Sequence, residues 1–216
     1  MEDLAKPTKD LGNRVPAVIL AGGKSSRMHG KNKALMKLGN KRLIEHVLSK
    51  LNTSTKNIAL NINSDYRSFE AYNLPLLTDT IGGYLGPLAG VLSAMKWAEE
   101  IGHSKVLTVA ADTPFFPENL FSNFEDYIEK YDIVMACTED GEGNVERHPT
   151  FCMWSIELRE NLELSLRDGL RKIVSWTDKF NVKNMKFKIE KFDPFFNINT
   201  KEDLQLAEKF LIGDFI

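Results

Sequence analysis

Apolar positions along this chain come in short runs separated by longer stretches of helical periodicity. Strand-like runs fall at Val15–Ala21, Asn57–Ile62, Pro75–Thr78, Lys105–Ala110 and Ile133–Cys137, with weaker ones at Thr150–Trp154 and Lys186–Ile189. Helical patterns lie between them at Leu43–Leu51, Leu88–Glu100, Glu118–Lys130, Ser155–Ser165, Leu170–Thr177 and Lys201–Leu211. In the second of these, Leu88, Val91, Leu92, Met95 and Ala98 share one helical face. Strands alternating with helices predict a mostly parallel sheet covered on both faces. The expected fold class is therefore α/β: a single-domain, Rossmann-like three-layer sandwich with a mostly parallel central sheet. In such sheets ligands bind beyond the carboxyl ends of the strands. Asp140-Gly141-Glu142-Gly143-Asn144 reads as a hairpin or a mobile loop over the site.

Length and composition narrow this picture. At 216 residues and 24.5 kDa one domain is expected, over residues 15–216, after a polar, flexible leader at 1–14. No run of 18 apolar residues predicts a membrane span, and the leader has no apolar signal core, so a cytoplasmic location is expected. Cys137 and Cys152 fit no metal pattern and read as buried, reduced thiols. His29, His46 and His103 show no ligand spacing, so no zinc site is expected. An isoelectric point near 6.1 argues against nucleic acid as the main partner.

Charge is placed unevenly. The chain carries a formal net charge of −2, yet from Lys24 to Arg42 seven cations occur without an intervening carboxylate: Lys24, Arg27, Lys31, Lys33, Lys37, Lys41 and Arg42. They follow Gly22-Gly23 at the end of the apolar run Val15–Ala21. A glycine-containing loop of cations at a strand end suits a polyphosphate, which needs backbone N–H groups turned towards it and positive charge to neutralise it. Spacing excludes the P-loop, G-x-x-x-x-G-K-[ST], and the dinucleotide fingerprint, G-x-G-x-x-G. The bland alternative is a solvated basic surface loop.

The segment Leu20-Ala21-Gly22-Gly23-x-Ser25-x-Arg27-Met28 with Lys33-Ala34-Leu35 resembles the signature of the MobA-like nucleotidyltransferases, and among them the molybdenum cofactor guanylyltransferases. Gly86-Pro87-Leu88-Ala89-Gly90, Ala111-Asp112-Thr113-Pro114, Arg147-His148-Pro149-Thr150 and Asn197-Ile198-Asn199-Thr200 resemble four further motifs, in family order, over roughly Val15 to Leu211. Two positions depart from the family pattern. His29 stands where glycine is usual, and Asn32 where aspartate is usual.

The resemblance implies transfer of GMP from GTP to molybdenum-bound molybdopterin, with release of pyrophosphate and with Mg²⁺ as cofactor. It implies Leu20, Ala21, Gly22, Gly23, Lys33, Asn61, Asp79 and Asp112 at the nucleotide. Arg27, Lys33 and Asp112 would be catalytic, Asp112 would bind the metal, and Arg147, His148, Asn197 and Asn199 would lie on the acceptor side. It extends the partners to molybdoenzymes or other molybdenum cofactor proteins, with no nucleic acid or membrane, and the chain would be a monomer or weak homo-oligomer. Transfer of CMP to molybdopterin, or nucleotidyl transfer to a sugar or alcohol phosphate, is the alternative, with a non-catalytic nucleotide-binding protein behind it. Gly22-Gly23 favours the guanylyl branch, because the cytidylyl relatives tend towards alanine-glycine there.

The residue chemistry is compatible with these roles. Arg27 can grip two phosphate oxygens with its planar fork, and Lys33 acts as a point charge. Asp112 ends an apolar run, where one carboxylate plus substrate phosphates can hold Mg²⁺; an N-cap or Asx-turn is its structural alternative. Guanine offers N1–H and an exocyclic amine on one edge, and the Asp79 carboxylate can accept both. Asn63, two residues on from Asn61 and expected on the same strand face, competes with it for base contact. Asn197 and Asn199 are expected to alternate on a short strand and point one way, apart from the triphosphate held by Lys33.

Overall fold

The computed structural model describes residues 14–22, 32–82 and 86–213. In chain order the elements are β1 (Ala17–Leu20), β2 (Lys37–Leu38), β3 (Lys41–Arg42), α1 (Leu43–Leu51), β4 (Ile58–Asn61), β5 (Leu76–Leu77), α2 (Pro87–Glu100), β6 (Lys105–Ala110), α3 (Leu120–Glu125), β7 (Ile133–Glu139), β8 (Val145–Ser155), α4 (Arg159–Arg167), α5 (Ile173–Thr177), β9 (Val182–Lys188) and α6 (Lys201–Ile212). The main sheet has the order β5-β4-β1-β6-β8-β7-β9. Only β8 runs antiparallel to its neighbours. This is the α/β architecture, with a mostly parallel sheet, that the alternation of runs predicts.

Period-2 alternation divides the strand side chains between two cores. Ala17, Ile19, Leu60, Leu107 and Val109 pack with Ile44 and Val47 of α1 and Phe121 and Phe124 of α3. Val18, Ala59, Val106, Met135 and Trp154 face the other way, onto Leu88, Leu92 and Met95 of α2 and Leu162 of α4. Because both faces are covered, the central strands read as continuous apolar runs rather than alternating ones. The indole of Trp154 donates to Thr108 Oγ1 at 2.9 Å inside this second core. Left unpaired, such a buried N–H would cost about 1–3 kcal/mol.

Chain direction from β1 goes to β4 on one side and β6 lies on the other, so the sheet order reverses at β1. Such a switch point opens a crevice at the carboxyl ends of the strands. The ends of β1, β4 and β6 carry Gly22, Asn61 and Asp112 to it.

Several elements differ from their sequence expectation. The pattern at Glu118–Lys130 gives a helix only over Leu120–Glu125. Phe121, Phe124 and Ile128 all enter the core, but Tyr127 and Lys130 already close tight i→i+3 turns. Strand β8 begins five residues before the expected Thr150, because its first half, Val145–Pro149, is polar and partly exposed. Register breaks where Met135 pairs with Cys152 but Ala136 pairs with His148, so Pro149, Thr150 and Phe151 are set out of the ladder. Proline lacks the N–H a regular ladder needs, which suits it to such an irregularity. Residues 140–144 close a hairpin between β7 and β8, tied by Asp140 Oδ1, which accepts from Glu142 N and Asn144 N at 2.9 and 2.8 Å. Asn197 and Asn199 are not on a strand; they lie in irregular chain leading into α6.

Three of the seven clustered cations also lie elsewhere than on the glycine loop. Lys37, Lys41 and Arg42 belong to the small β2–β3 ribbon. Arg42 starts α1, its N–H donating to Glu45 Oε2 at 2.7 Å and its guanidinium to the Tyr72 hydroxyl at 3.4 Å.

Candidate active site

A cleft of about 220 Å³ opens at the switch point. Leu20 and Gly22 at the end of β1, Asn61 and Asn63 at the end of β4, Asp79 after β5 and Asp112 after β6 line it, with Gly86 and Pro87 at the start of α2. Gly86 has φ +71°, and Pro87 occupies the first helical position, where its missing N–H costs nothing. The N-terminus of a 14-residue helix therefore faces the cleft.

One side of the cleft is an ammonium centre. Lys33 stands in a single 3₁₀ turn, Lys33–Leu35, capped by Asn32. Asn32 Oδ1 accepts from Ala34 N at 3.0 Å, while its amide donates to the carbonyl of Ala21 at 3.2 Å. That buried side chain joins the end of β1 to the turn that carries Lys33. Lys33 Nζ donates to Asp112 Oδ2 at 2.6 Å, Asn199 Oδ1 at 2.7 Å and Asn197 Oδ1 at 3.3 Å. Residues about 80 and 165 positions apart in the chain thus meet at one nitrogen. The expected separation between Lys33 and the two late asparagines does not exist.

Local structure fixes these partners. Ile198 N donates to the Asp112 carbonyl at 2.9 Å, which docks the late segment against the end of β6. Thr200 caps α6 in a reciprocal box with Asp203, and Asp203 Oδ2 also accepts from Asn199 N at 2.7 Å.

The other side of the cleft is an amide–carboxylate cluster. Asp79 Oδ1 accepts from Asn61 at 3.1 Å and Oδ2 accepts from Asn63 at 2.8 Å. Asn63 returns the interaction, its Oδ1 accepting from Asp79 N at 3.0 Å, and its amide also reaches the Gly22 carbonyl at 3.4 Å. Two glycines make room for Asn61. A Cβ at Gly22 would stand 3.1 Å from its Oδ1, and one at Gly90 only 2.5 Å from it.

A model of the MobA-like NTP transferase domain matches residues 17–180. The chain belongs to the MobA-like nucleotidyltransferase family. It is 33% identical over 205 residues to a molybdenum cofactor guanylyltransferase of Bradyrhizobium, covering 94% of this chain and 95% of that protein. With the corresponding protein of Rhizobium meliloti it shares 37% over 204 residues, 91% of each. Among solved structures, molybdopterin-guanine dinucleotide biosynthesis protein A from Archaeoglobus fulgidus has the same fold, with a TM-score of 0.70 at 23% identity, covering 92% of this chain and all of that one.

For a MobA-like chain the remaining expected site residues fall as follows. Leu20, Gly22, Asn61, Asp79, Asp112 and Asn197 line the cleft; Lys33 and Asn199 join it through the ammonium centre; Ala21 is tied in by Asn32. Gly23 and Arg27 lie outside the described residues. Arg147 and His148 are not on the cleft lining. Arg147 forms an ion pair with Asp178 at 2.6 Å. His148 hydrogen-bonds Thr138 at 2.9 Å and stacks on Phe195, with ring centroids 4.3 Å apart. Burial lowers its pKa below 6.5, opposed by the nearby charges of Asp193 and Glu146. It thereby supports the segment that leads to Asn197. Thr150, beside the register break, lines the cleft directly. Asn63 lines it too, although β4 ends before it.

Proposed function

We propose that this protein transfers GMP from GTP to molybdenum-bound molybdopterin, forming the guanine dinucleotide form of the molybdenum cofactor and releasing pyrophosphate. The observation that carries this reading is the convergence of Lys33, Asp112, Asn197 and Asn199 on one end of a cleft whose other end is the Asn61–Asn63–Asp79 cluster. Cation and carboxylate suit a metal-bound triphosphate, and the acceptor-rich cluster suits the donor edge of guanine. Full-length similarity to molybdenum cofactor guanylyltransferases supports the choice of substrates.

In the reaction a phosphate oxygen of molybdopterin attacks the α-phosphorus of GTP. The bond from that phosphorus to the bridging oxygen breaks, and pyrophosphate leaves with the electron pair. The nucleophile is already anionic, so no general base is required. Catalysis is in-line positioning and neutralisation of charge. Lys33 supplies a positive charge at the phosphates, with Arg27 as its partner from the glycine loop. Asn197 and Asn199 would orient the Lys33 ammonium and present the acceptor side, with His148 supporting their segment through Phe195 and Arg147 adding positive charge on the same strand as His148.

Asp112 would hold Mg²⁺. The donor set fits, since Mg²⁺ takes one or two carboxylates together with substrate phosphates and water rather than a protein cage. Among the described residues no group of three or more His, Cys, Asp or Glu side chains could hold a metal. When bound, the ion neutralises charge on the phosphates and the leaving group. Among the described residues no helix is long and apolar enough to cross a membrane. The proposed setting is the cytoplasm, as a biosynthetic reaction on GTP would suit.

A thermal-shift panel with GTP, CTP, ATP and UTP, each with Mg²⁺, tests base choice, because a ligand bound to the native state raises its stability. GTP should give the largest shift. Equal stabilisation by CTP and GTP would overturn the guanylyl assignment.

A further inference from the structure

We propose that Asn63 is a positioning residue that sets guanine selectivity by fixing the plane of the Asp79 carboxylate. This rests on the reading that Asp79 accepts the N1–H and exocyclic amine of guanine. A carboxylate can satisfy two parallel donors only in one orientation about its terminal torsion, and that torsion is soft. Here each oxygen is anchored separately, Oδ1 by Asn61 and Oδ2 by Asn63. Each oxygen has about two acceptor sites, and each takes one donor among the described residues, which leaves one per oxygen for the base.

The two asparagines do this differently. Asn61 is buried, with Gly90 close against its amide. Asn63 is exposed to the cleft; its amide lies over Gly22, where a Cβ would stand 2.7 Å from its Nδ2, and its hydrogen bonds set its orientation there. It grips Asp79 at both ends: its amide donates to the carboxylate, and its carbonyl accepts from the Asp79 N–H. The same amide reaches the Gly22 carbonyl, where the glycine loop begins. Asn63 thus sets the angle of the carboxylate relative to the strand end that carries the phosphate loop.

Inosine triphosphate is the informative probe, because its base keeps N1–H and lacks the exocyclic amine. Calorimetric titration with Mg²⁺ and either GTP or ITP, on the wild type, Asn63→Ala, Asn63→Asp and Asp79→Ala, separates the possibilities. Asn63→Asp keeps an acceptor for the Asp79 N–H but replaces the donor with a like charge. The expected result is that the wild type prefers GTP. Both Asn63 variants should weaken GTP about tenfold, the effect of losing one hydrogen bond to a charged group, and weaken ITP less, so that the preference collapses. Their melting temperatures without nucleotide should match the wild type. Asn63 variants that keep the wild-type preference while Asp79→Ala loses it would overturn the role of Asn63 alone. So would an equal loss of both ligands accompanied by a lower melting temperature. A wild type that binds GTP and ITP equally would overturn the reading of Asp79 itself.

Discussion

The ammonium of Lys33 lies 2.6 Å from the carboxylate of Asp112, although 79 positions separate the two residues. Two asparagine side-chain oxygens accept from the same nitrogen. On the proposed reading, Asp112 would share its charge between Lys33 and Mg²⁺, and Lys33 could turn towards phosphate without leaving Asp112 unpaired.

Lys33→Ala should lower the rate of pyrophosphate release about 10²-fold, the usual loss when one donor that stabilises developing charge is removed. Asp112→Asn keeps the shape and loses the charge, so it should fold normally and lose turnover, with the remaining activity needing higher Mg²⁺. Pyrophosphate release across a Mg²⁺ titration, with circular dichroism as the folding control, checks both. Near-normal turnover in folded Asp112→Asn would place the metal on another group.

Because Lys33 touches Asn197 and Asn199, the two halves of the chain should be energetically coupled in GTP binding. A cycle of Lys33→Ala, Asn197→Ala with Asn199→Ala, and all three together should show an interaction energy of at least about 0.5 kcal/mol. Strictly additive losses, measured by calorimetry with GTP and Mg²⁺, would mean that the contact does not operate in the nucleotide complex.

Gly90→Ala should weaken GTP binding through Asn61. The added Cβ would meet Asn61 Oδ1 at 2.5 Å and Leu20 Cδ2 at 3.0 Å. Alanine gains up to about 1 kcal/mol of helix propensity over glycine, whereas overpacking costs about 1–3 kcal/mol. The expected result is a lower melting temperature together with weaker GTP binding. A raised melting temperature with unchanged affinity would show that the site yields easily.

Stability should fall in acid through His148. Burial holds its folded pKa below the 6.5 of a free imidazole. The unfolded chain therefore binds the extra proton first as pH falls. The contribution is fully present above about 6.5 and is lost as pH drops through the folded pKa. His148→Gln should flatten this part of the stability–pH profile, and denaturant titrations between pH 7.5 and 5 would show whether it does.

Much of this architecture is legible in the sequence because the signals are collective. Val15–Ala21 is an unbroken apolar run, Val106–Ala110 is interrupted only by Thr108, and α1 starts and ends as its periodicity predicts. Single side chains without periodicity are not legible in that way. Asn32 and Asn63 are one amide each, and what they do depends on which carbonyl or carboxylate the fold brings within reach. Closeness in sequence also misled in one respect. Lys37, Lys41 and Arg42 extend the cation run, but they belong to a two-stranded ribbon of their own. The pairing of Lys33 with Asn199 was hidden for the opposite reason, since a separation of 166 positions leaves no local signal.

The most direct test of the account is product formation from purified protein, GTP, Mg²⁺ and molybdopterin, read by mass spectrometry. The account predicts a new species equal to molybdopterin plus GMP, one pyrophosphate released per product, and far less product when CTP replaces GTP. Pyrophosphate release without a pterin-linked nucleotide, or a cytidylylated product formed as readily as the guanylylated one, would contradict it.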